Sequence, residues 1–325
     1  MTDREVFFET VRFGKPDRRL YGAPYHMIGY LGANHESFDD PNNPDGKHSP
    51  VGTAWTDIWG TGWVKGQEGV MGIAKIYPLA DPCSLDSYMW PDPNDERIYG
   101  KIYSGCDEFR LEENKVLTGL QRDPLWEKAH MLVGMENMLE YFYTEPEFVR
   151  AVLRRIMDFQ LGIAEHYIKA GIEVLLLGDD LGCQDRLLLS PDIINEFLMP
   201  EYRRLFDFYK KRGVLIDFHS CGYVEPLLET FIDLGIDILN PLQATANDFN
   251  NVIEVTKGRM ALRGGVSTRI LMTGSDGEIR AAVADAIVIL GKYGGYFCQQ
   301  DQGLPFPPHA IEVLKEAVES SPVNQ

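Results

Sequence analysis

From about residue 144 onward, the apolar positions alternate between helical spacing and short solid runs. Phe148, Val152, Ile156, Phe159, Ile163 and Tyr167 recur at helical intervals behind Thr144-Glu145-Pro146-Glu147, which reads as an N-cap followed three residues on by an acid, and Gly171 closes the run. Residues 173–178 form a short apolar segment of the kind buried on both faces of a parallel sheet, with Asp179 and Asp180 just beyond it. Ser190-Pro191 opens the next helix, which runs to about Gly213 with a kink at Pro200. A strand over residues 214–218 follows, ended by His219-Ser220-Cys221-Gly222. The rhythm continues with a helix over 225–234, a strand over 236–239 with a polar exit at Asn240 and Gln243, and a helix over 247–257. A strand over 260–265, a helix over 276–292, a strand over 295–298 and a helix from Pro307 to about Val318 complete it.

Five strand-then-helix units in succession predict a parallel sheet wound in one sense by right-handed crossovers. The natural completion is an α/β fold of the (β/α)₈ TIM-barrel type, with an open doubly wound sheet as the alternative. A length of 325 residues suits one such core, so residues 1–325 read as a single barrel domain. The first 143 residues are less regular. Strands are expected over 23–30, 61–64 and 116–120, separated by turn-rich insertions such as Asp40-Pro41-Asn42-Asn43-Pro44-Asp45-Gly46, which at this length form lids or pocket walls.

Composition narrows the function. The formal charge is −18 and no segment concentrates Lys or Arg among aromatics, which argues against nucleic acid as a partner. No apolar run approaches the length needed to cross a bilayer, and the N-terminus lacks the basic start and apolar stretch of an export signal, so a cytoplasmic enzyme is expected. Five scattered cysteines, Cys83, Cys106, Cys183, Cys221 and Cys298, fit reduced thiols better than a disulfide framework.

Polar and metal-capable side chains recur immediately after the apolar strands, and in a (β/α)₈ barrel all these strand ends face one rim. His219-x-Cys221 offers an imidazole and a thiolate on one extended segment, side chains to the same side, a combination suited to Zn²⁺. A third ligand is expected from another strand end: Cys298 is the thiol candidate, while Asp301 and Gln302 lie nearer the rim. Asp179 and Asp180 are candidate catalytic carboxylates, one of them functional and the other structural. Asn240, Gln243, Arg263 and His26 are candidates for holding substrate, and Trp55, Trp59 and Trp63 are either stacking surfaces or core.

These residues together resemble the uroporphyrinogen decarboxylase superfamily, especially its cobalamin-dependent methyltransferase branch. The landmarks are Gly134-Met135-Glu136-Asn137, Gly178-Asp179-Asp180-Leu181-Gly182, Ser190-Pro191, His219-Ser220-Cys221-Gly222, Asn240-Pro241-Leu242-Gln243, Gly264-Gly265-Val266 and Gly294-Gly295-Tyr296. The resemblance implies a (β/α)₈ barrel and a zinc held by a His-x-Cys pair and a later cysteine, with His219 and Cys221 matching the pair. Counted back from Gly303-Leu304-Pro305, the later position is Gln302, with Cys298 four residues earlier. The implied activity is methyl transfer between a small methylated compound and the cobalamin of a separate corrinoid protein; the loops with Trp55, Trp59 and Trp63, read as stacking surfaces, favour a methoxylated aromatic and so the O-demethylase type. The decarboxylase branch carries an N-terminal arginine signature for porphyrin carboxylates, and Leu20-Tyr21-Gly22-Ala23-Pro24-Tyr25-His26 stands in its place. A metal-free lyase and an inactive barrel retained as a binding partner are the alternatives.

Overall fold

The computed structural model describes residues 1–109, 112 and 114–323. Ten strands occur in it: β1 (Tyr25–Gly29), β2 (Ala54–Thr56), β3 (Gly62–Val64), β4 (Ile73–Ile76), β5 (Val116–Arg122), β6 (Val174–Gly178), β7 (Leu215–His219), β8 (Ile238–Leu242), β9 (Ala261–Val266) and β10 (Tyr296–Gln300). β1 and β5 to β10 form one seven-stranded parallel sheet in chain order, joined through helices. Its curl brings side chains of non-neighbouring strands together: Tyr25 on β1 donates its hydroxyl to Asp217 on β7 at 2.6 Å, and Arg263 on β9 reaches the same carboxylate at 2.8 Å. The architecture is TIM-barrel-like, as the alternating pattern predicts.

Strand alternation sorts the side chains into an inner and an outer set. Val116, Val174, Ile238, Ala261 and Phe297 pack inside at the lower end of the sheet, where the helix Asp3–Val11 inserts Phe7 and Val11 as a plug. That helix starts on a reciprocal cap between Thr2 and Glu5, and Arg4 ties it to Glu173 beside β6. Complete burial of Phe7 contributes roughly 2–3 kcal/mol. On the outer face Phe218 meets Tyr202 and Phe206 edge-to-face and Phe231 at a tilt, and Tyr167 of the helix Pro146–Ala170 bonds Leu120 O at 2.7 Å.

Most of the elements expected from the sequence form within a few residues of their predicted bounds. Gly171 ends its helix in the left-handed region at φ +82°, and Ser190 caps the following turn. Pro200 lies just past a π-helical turn over Ile194–Leu198, which relaxes the ladder where proline supplies no N–H to the carbonyl of residue 196.

Two expectations are corrected. Thr144 is not an N-cap: it ends the helix Met135–Thr144, and its hydroxyl bonds back to Glu140 O at 3.2 Å. Residues 61–64 do not join the main sheet. They form β3 in the antiparallel sheet β2-β3-β4, because the short connections within this insertion allow hairpins but no crossover. Trp59 and Trp63 are buried and Trp55 stacks on Trp63 at 6.1 Å, so the tryptophans serve packing. The insertion also reaches the rim, where Asp45 accepts from Arg122 at 2.9 Å. Among the described residues no helix is long and apolar enough to cross a membrane.

Candidate active site

The upper end of the sheet opens into a cavity of about 580 Å³. Its walls include Tyr25 and Met27 of β1, Leu120 and Arg122 of β5, Leu176 of β6, His219, Asn240, Arg263 and Gln299. All nine come from the C-terminal halves or inner faces of the parallel strands, the place where this architecture gathers chemistry.

On β7 the period of two puts Asp217 and His219 on the same inner face, with Phe218 turned outward. Register then sets Gly178, His219 and Asn240 side by side on three neighbouring strands. Gly178 allows this closeness, since a Cβ there would lie 2.5 Å from the Cβ of His219. Asp217 is fully buried, and its carboxylate accepts from Tyr25, from Arg263 and from Asn240 Nδ2 at 2.5 Å.

That last bond fixes the orientation of the Asn240 amide. With Nδ2 committed to Asp217, its Oδ1 faces His219 Nδ1 at 3.0 Å and can only accept, so Nδ1 carries the proton. Nε2 is left as a lone pair. Burial, opposed by the nearby Asp180, lowers the His219 pKa, and Arg263 adds to the lowering, so the neutral ring is favoured.

Nε2 points at Cys221 Sγ, 3.3 Å away, and at Asp180 Oδ1, 3.6 Å away. The hydroxyl of Ser220, one residue before Cys221, accepts from Leu181 N at 3.0 Å, and Gln243 Oε1 accepts from Gly222 N at 2.5 Å. Gly222 adopts φ +84° against the carbonyls of Gly182 and Cys183, where a Cβ would sit 2.5 Å from backbone. Asp180 accepts from Cys221 N at 2.9 Å. The loops after β6, β7 and β8 thus hold one another and set the three ligand-capable atoms within 4.8 Å of each other.

This triangle fits a zinc ion. Tetrahedral bonds of about 2.0–2.3 Å require ligand atoms roughly 3.3–3.8 Å apart, and the separations of His219 Nε2 from Cys221 Sγ and from Asp180 Oδ1, 3.3 and 3.6 Å, fall in that range. Without a cation, burial and then the Asp180 carboxylate push the Cys221 thiol up to about 12, so the site calls for a positive charge to hold a thiolate. Gln302 lies alongside, its Nε2 3.6 Å from Sγ.

Several expected site residues are elsewhere. Cys298 is buried on the outer face of β10 beside Tyr296, away from His219, because Phe297 and Gln299 take the inward positions; burial pushes its thiol up to about 11. Asp301 accepts from Thr268 N at 2.8 Å and from its hydroxyl at 2.7 Å, which fixes the loop after β9. His26 faces outward, its ring nitrogens 3.0 Å from Gly105 O and 3.1 Å from Glu112. Gln243 does not line the cavity; it braces Gly222.

Asp179 and Asp180 separate as neighbours on an extended segment do. Asp179 is fully buried and accepts the N–H groups of Leu125, Trp126 and Glu127 at 3.0, 3.0 and 2.7 Å and the Tyr202 hydroxyl, so it caps the helix Trp126–Val133. Burial pushes its carboxyl up to about 7 against these donors. Asp180 faces the cavity.

Sequence reasoning missed Glu127, Arg122, Asp123 and Tyr25 as cavity residues. Glu127 follows Trp126 in the first turn of a helix with no polar cap of its own, and burial together with Asp123, Asp179 and Asp180 raises its pKa well above the usual range. Asp123 is buried, which would raise it, yet Arg122 and His35 hold it below the usual range; His35 Nε2 is 2.9 Å away. Tyr25 and Asp217 could have been suspected from strand alternation alone, as partners of Arg263.

A family model for uroporphyrinogen decarboxylase (URO-D) matches residues 100–320. The chain belongs to the URO-D family. That stretch contains β5 to β10 and every atom of the triangle described above. Among curated relatives, the methylated-thiol–coenzyme M methyltransferase of Methanosarcina mazei is 28% identical over 165 residues, 49% of this chain and 43% of that protein. The aligned part therefore spans less than half the length of that relative. The uroporphyrinogen decarboxylase of Legionella pneumophila is 22% identical over 74% of this chain and 69% of its own. A solved methyltransferase from Methanosarcina mazei superposes with a TM-score of 0.71 over 98% of both chains at 16% identity, which shows the shared fold.

Proposed function

We propose that this URO-D family member is a methyltransferase that binds zinc at Asp180, His219 and Cys221. It moves a methyl group between a small methylated compound in the cavity and the cobalamin of a separate corrinoid protein. The observation that carries the reading is the triangle of carboxylate, imidazole and thiol at the cavity wall. A methyltransferase among the curated relatives supports it.

Zinc bound there would supply a Lewis acid for the sulfur or oxygen that carries the methyl group. The protein's own part is preparation. Asn240 keeps the Nε2 lone pair of His219 directed at the site, and the Cys221 N–H holds the Asp180 carboxylate in place. Leu120, Leu176, Leu177 and Met27 give the substrate a wall that sheds water, so charge developing at the heteroatom is felt in a medium of low polarity. A porphyrinogen decarboxylase reading has the relatives from Legionella pneumophila in its favour. It lacks the arginine signature for porphyrin carboxylates around the start of β1, where Leu20 to His26 stand.

The test follows the cobalt spectrum of a reduced corrinoid, free or protein-bound, mixed with zinc-loaded enzyme and methoxyaromatic, methylated-thiol and methylamine donors. The expected result is growth of the methylcobalt absorption with at least one donor, abolished by His219→Ala with Cys221→Ala. No transfer from any donor class by fully zinc-loaded protein would overturn the reading.

A further inference from the structure

The charged layer beneath the ligand triangle contains one group that its neighbours leave unsatisfied. Arg263 is 9% exposed and lines the cavity, and its Nη2 lies 2.8 Å from Asp217 Oδ2. Asp217 has further donors in Tyr25 and Asn240, so its carboxylate is well supplied. A guanidinium carries five N–H bonds, and Arg263 Nε is buried with no hydrogen-bond partner. Buried donors on charged groups are rarely left this way unless something else completes them.

We infer that the substrate carries a carboxylate and that Arg263 recognises it. The inference rests on the methyl-transfer reading, since it assumes that the reacting heteroatom sits at Asp180, His219 and Cys221. The second arginine of the cavity, Arg122, is committed to Asp45 at 2.9 Å and lies 3.6 Å from Asp123. Arg263 is thus the cation with donor capacity to spare.

Electrostatics supports one orientation. Asp123, Glu127 and Asp180 line the same cavity and the whole chain carries −18, while Arg122 is already paired with Asp45, so Arg263 is the cation there best placed to attract an anion. The apolar side chains of Leu120, Leu176 and Met27 also line the cavity and suit a ring or a short alkyl chain. A substrate with its anion at one end and its methylated heteroatom at the other is held in one register. Its carboxylate would accept from the N–H groups of the Arg263 guanidinium that face the cavity.

The experiment measures binding to metal-free protein by calorimetry with two probes of equal shape, 4-methoxybenzoate and 4-methoxybenzamide. Wild type is expected to prefer the benzoate by about tenfold or more, as a charge-assisted pair in a desolvated site gives, and the preference should shrink with added salt. In Arg263→Gln combined with Asp217→Asn, which removes both buried charges together, the preference of benzoate over benzamide is expected to vanish. If that variant does not fold, the wild-type comparison of charged and neutral probes at two salt concentrations decides alone. Equal binding of the two probes by wild type, or an undiminished preference in the folded double variant, would overturn the inference. Zinc uptake by the same protein is measured separately, so failure of the carboxylate site and failure of the metal site are distinguishable.

Discussion

Two adjacent aspartates offer a sharp physical contrast, and replacing each by alanine exposes it. Asp179 supplies the acceptors for three backbone N–H groups at the start of the helix Trp126–Val133 and for the hydroxyl of Tyr202, itself 1% exposed. Loss of a helix cap costs about 1–2 kcal/mol. Leaving the buried hydroxyl without a partner adds about 1–3 kcal/mol. Burial of the carboxyl, which pushes its pKa up to about 7, is an unfavourable contribution that the substitution relieves. The net expectation is a loss of about 2–4 kcal/mol for Asp179→Ala, and of no more than about 1 kcal/mol for Asp179→Asn, which keeps one acceptor and removes the charge. Asp180 is half-exposed and accepts one backbone bond, from Cys221, so Asp180→Ala should stay within about 1 kcal/mol of wild type while weakening zinc binding. Urea unfolding of the metal-free proteins, followed by circular dichroism, measures all three. The reasoning is refuted if Asp179→Ala unfolds at the wild-type midpoint, or if Asp180→Ala is the less stable of the two alanine variants.

Other consequences are equally open to measurement. Asn240→Leu removes the acceptor that holds His219 Nδ1 and should weaken zinc affinity by about 10–100-fold in a chelator competition, with unchanged affinity counting against the tautomer argument. Cys298→Ala should leave zinc stoichiometry unaltered, because its thiol lies outside the sheet; a loss of metal would restore it as a ligand. Burial lowers the pKa of His130 from 6.5 to about 4, so the folded state binds fewer protons than the unfolded chain between those values. This contribution to stability is present above pH 6.5 and is lost as pH falls toward 4. It amounts to about 3 kcal/mol at 1.36 kcal/mol per unit. The stability difference between wild type and His130→Gln should follow that window in urea titrations, and a pH-independent difference would remove His130 as its source.

The barrel-like fold was legible because its second half repeats a pattern that two physical rules decode. Solid apolar runs mean strands buried on both faces, and punctuated helical spacing means the crossovers between them. The first half was less legible, since a three-residue strand such as β3 carries too little periodicity to reveal which sheet it joins. Within the site, His219, Cys221, Asn240 and Arg263 could be found because they follow or end apolar strands. The fate of Asp179 could not, because it depends on a helix start 54 residues earlier at Leu125. The facing of Cys298 is left open by a four-residue apolar run, and the structure decides it: Phe297 and Gln299 face inward, so the thiol between them faces out. Asp180 emerges as the third member of the triangle because the loop after β6 turns it back over Cys221, a closure that no spacing rule encodes.

The central claim is that Asp180, His219 and Cys221 form the metal site, and X-ray absorption at the zinc edge of the loaded enzyme tests it most directly. The account predicts about one zinc per chain with a single sulfur scatterer at about 2.3 Å and the remaining ligands nitrogen or oxygen at about 2.0–2.2 Å, with the sulfur lost in Cys221→Ser. Two sulfurs in the shell, or a spectrum unchanged by Cys221→Ser, would contradict it.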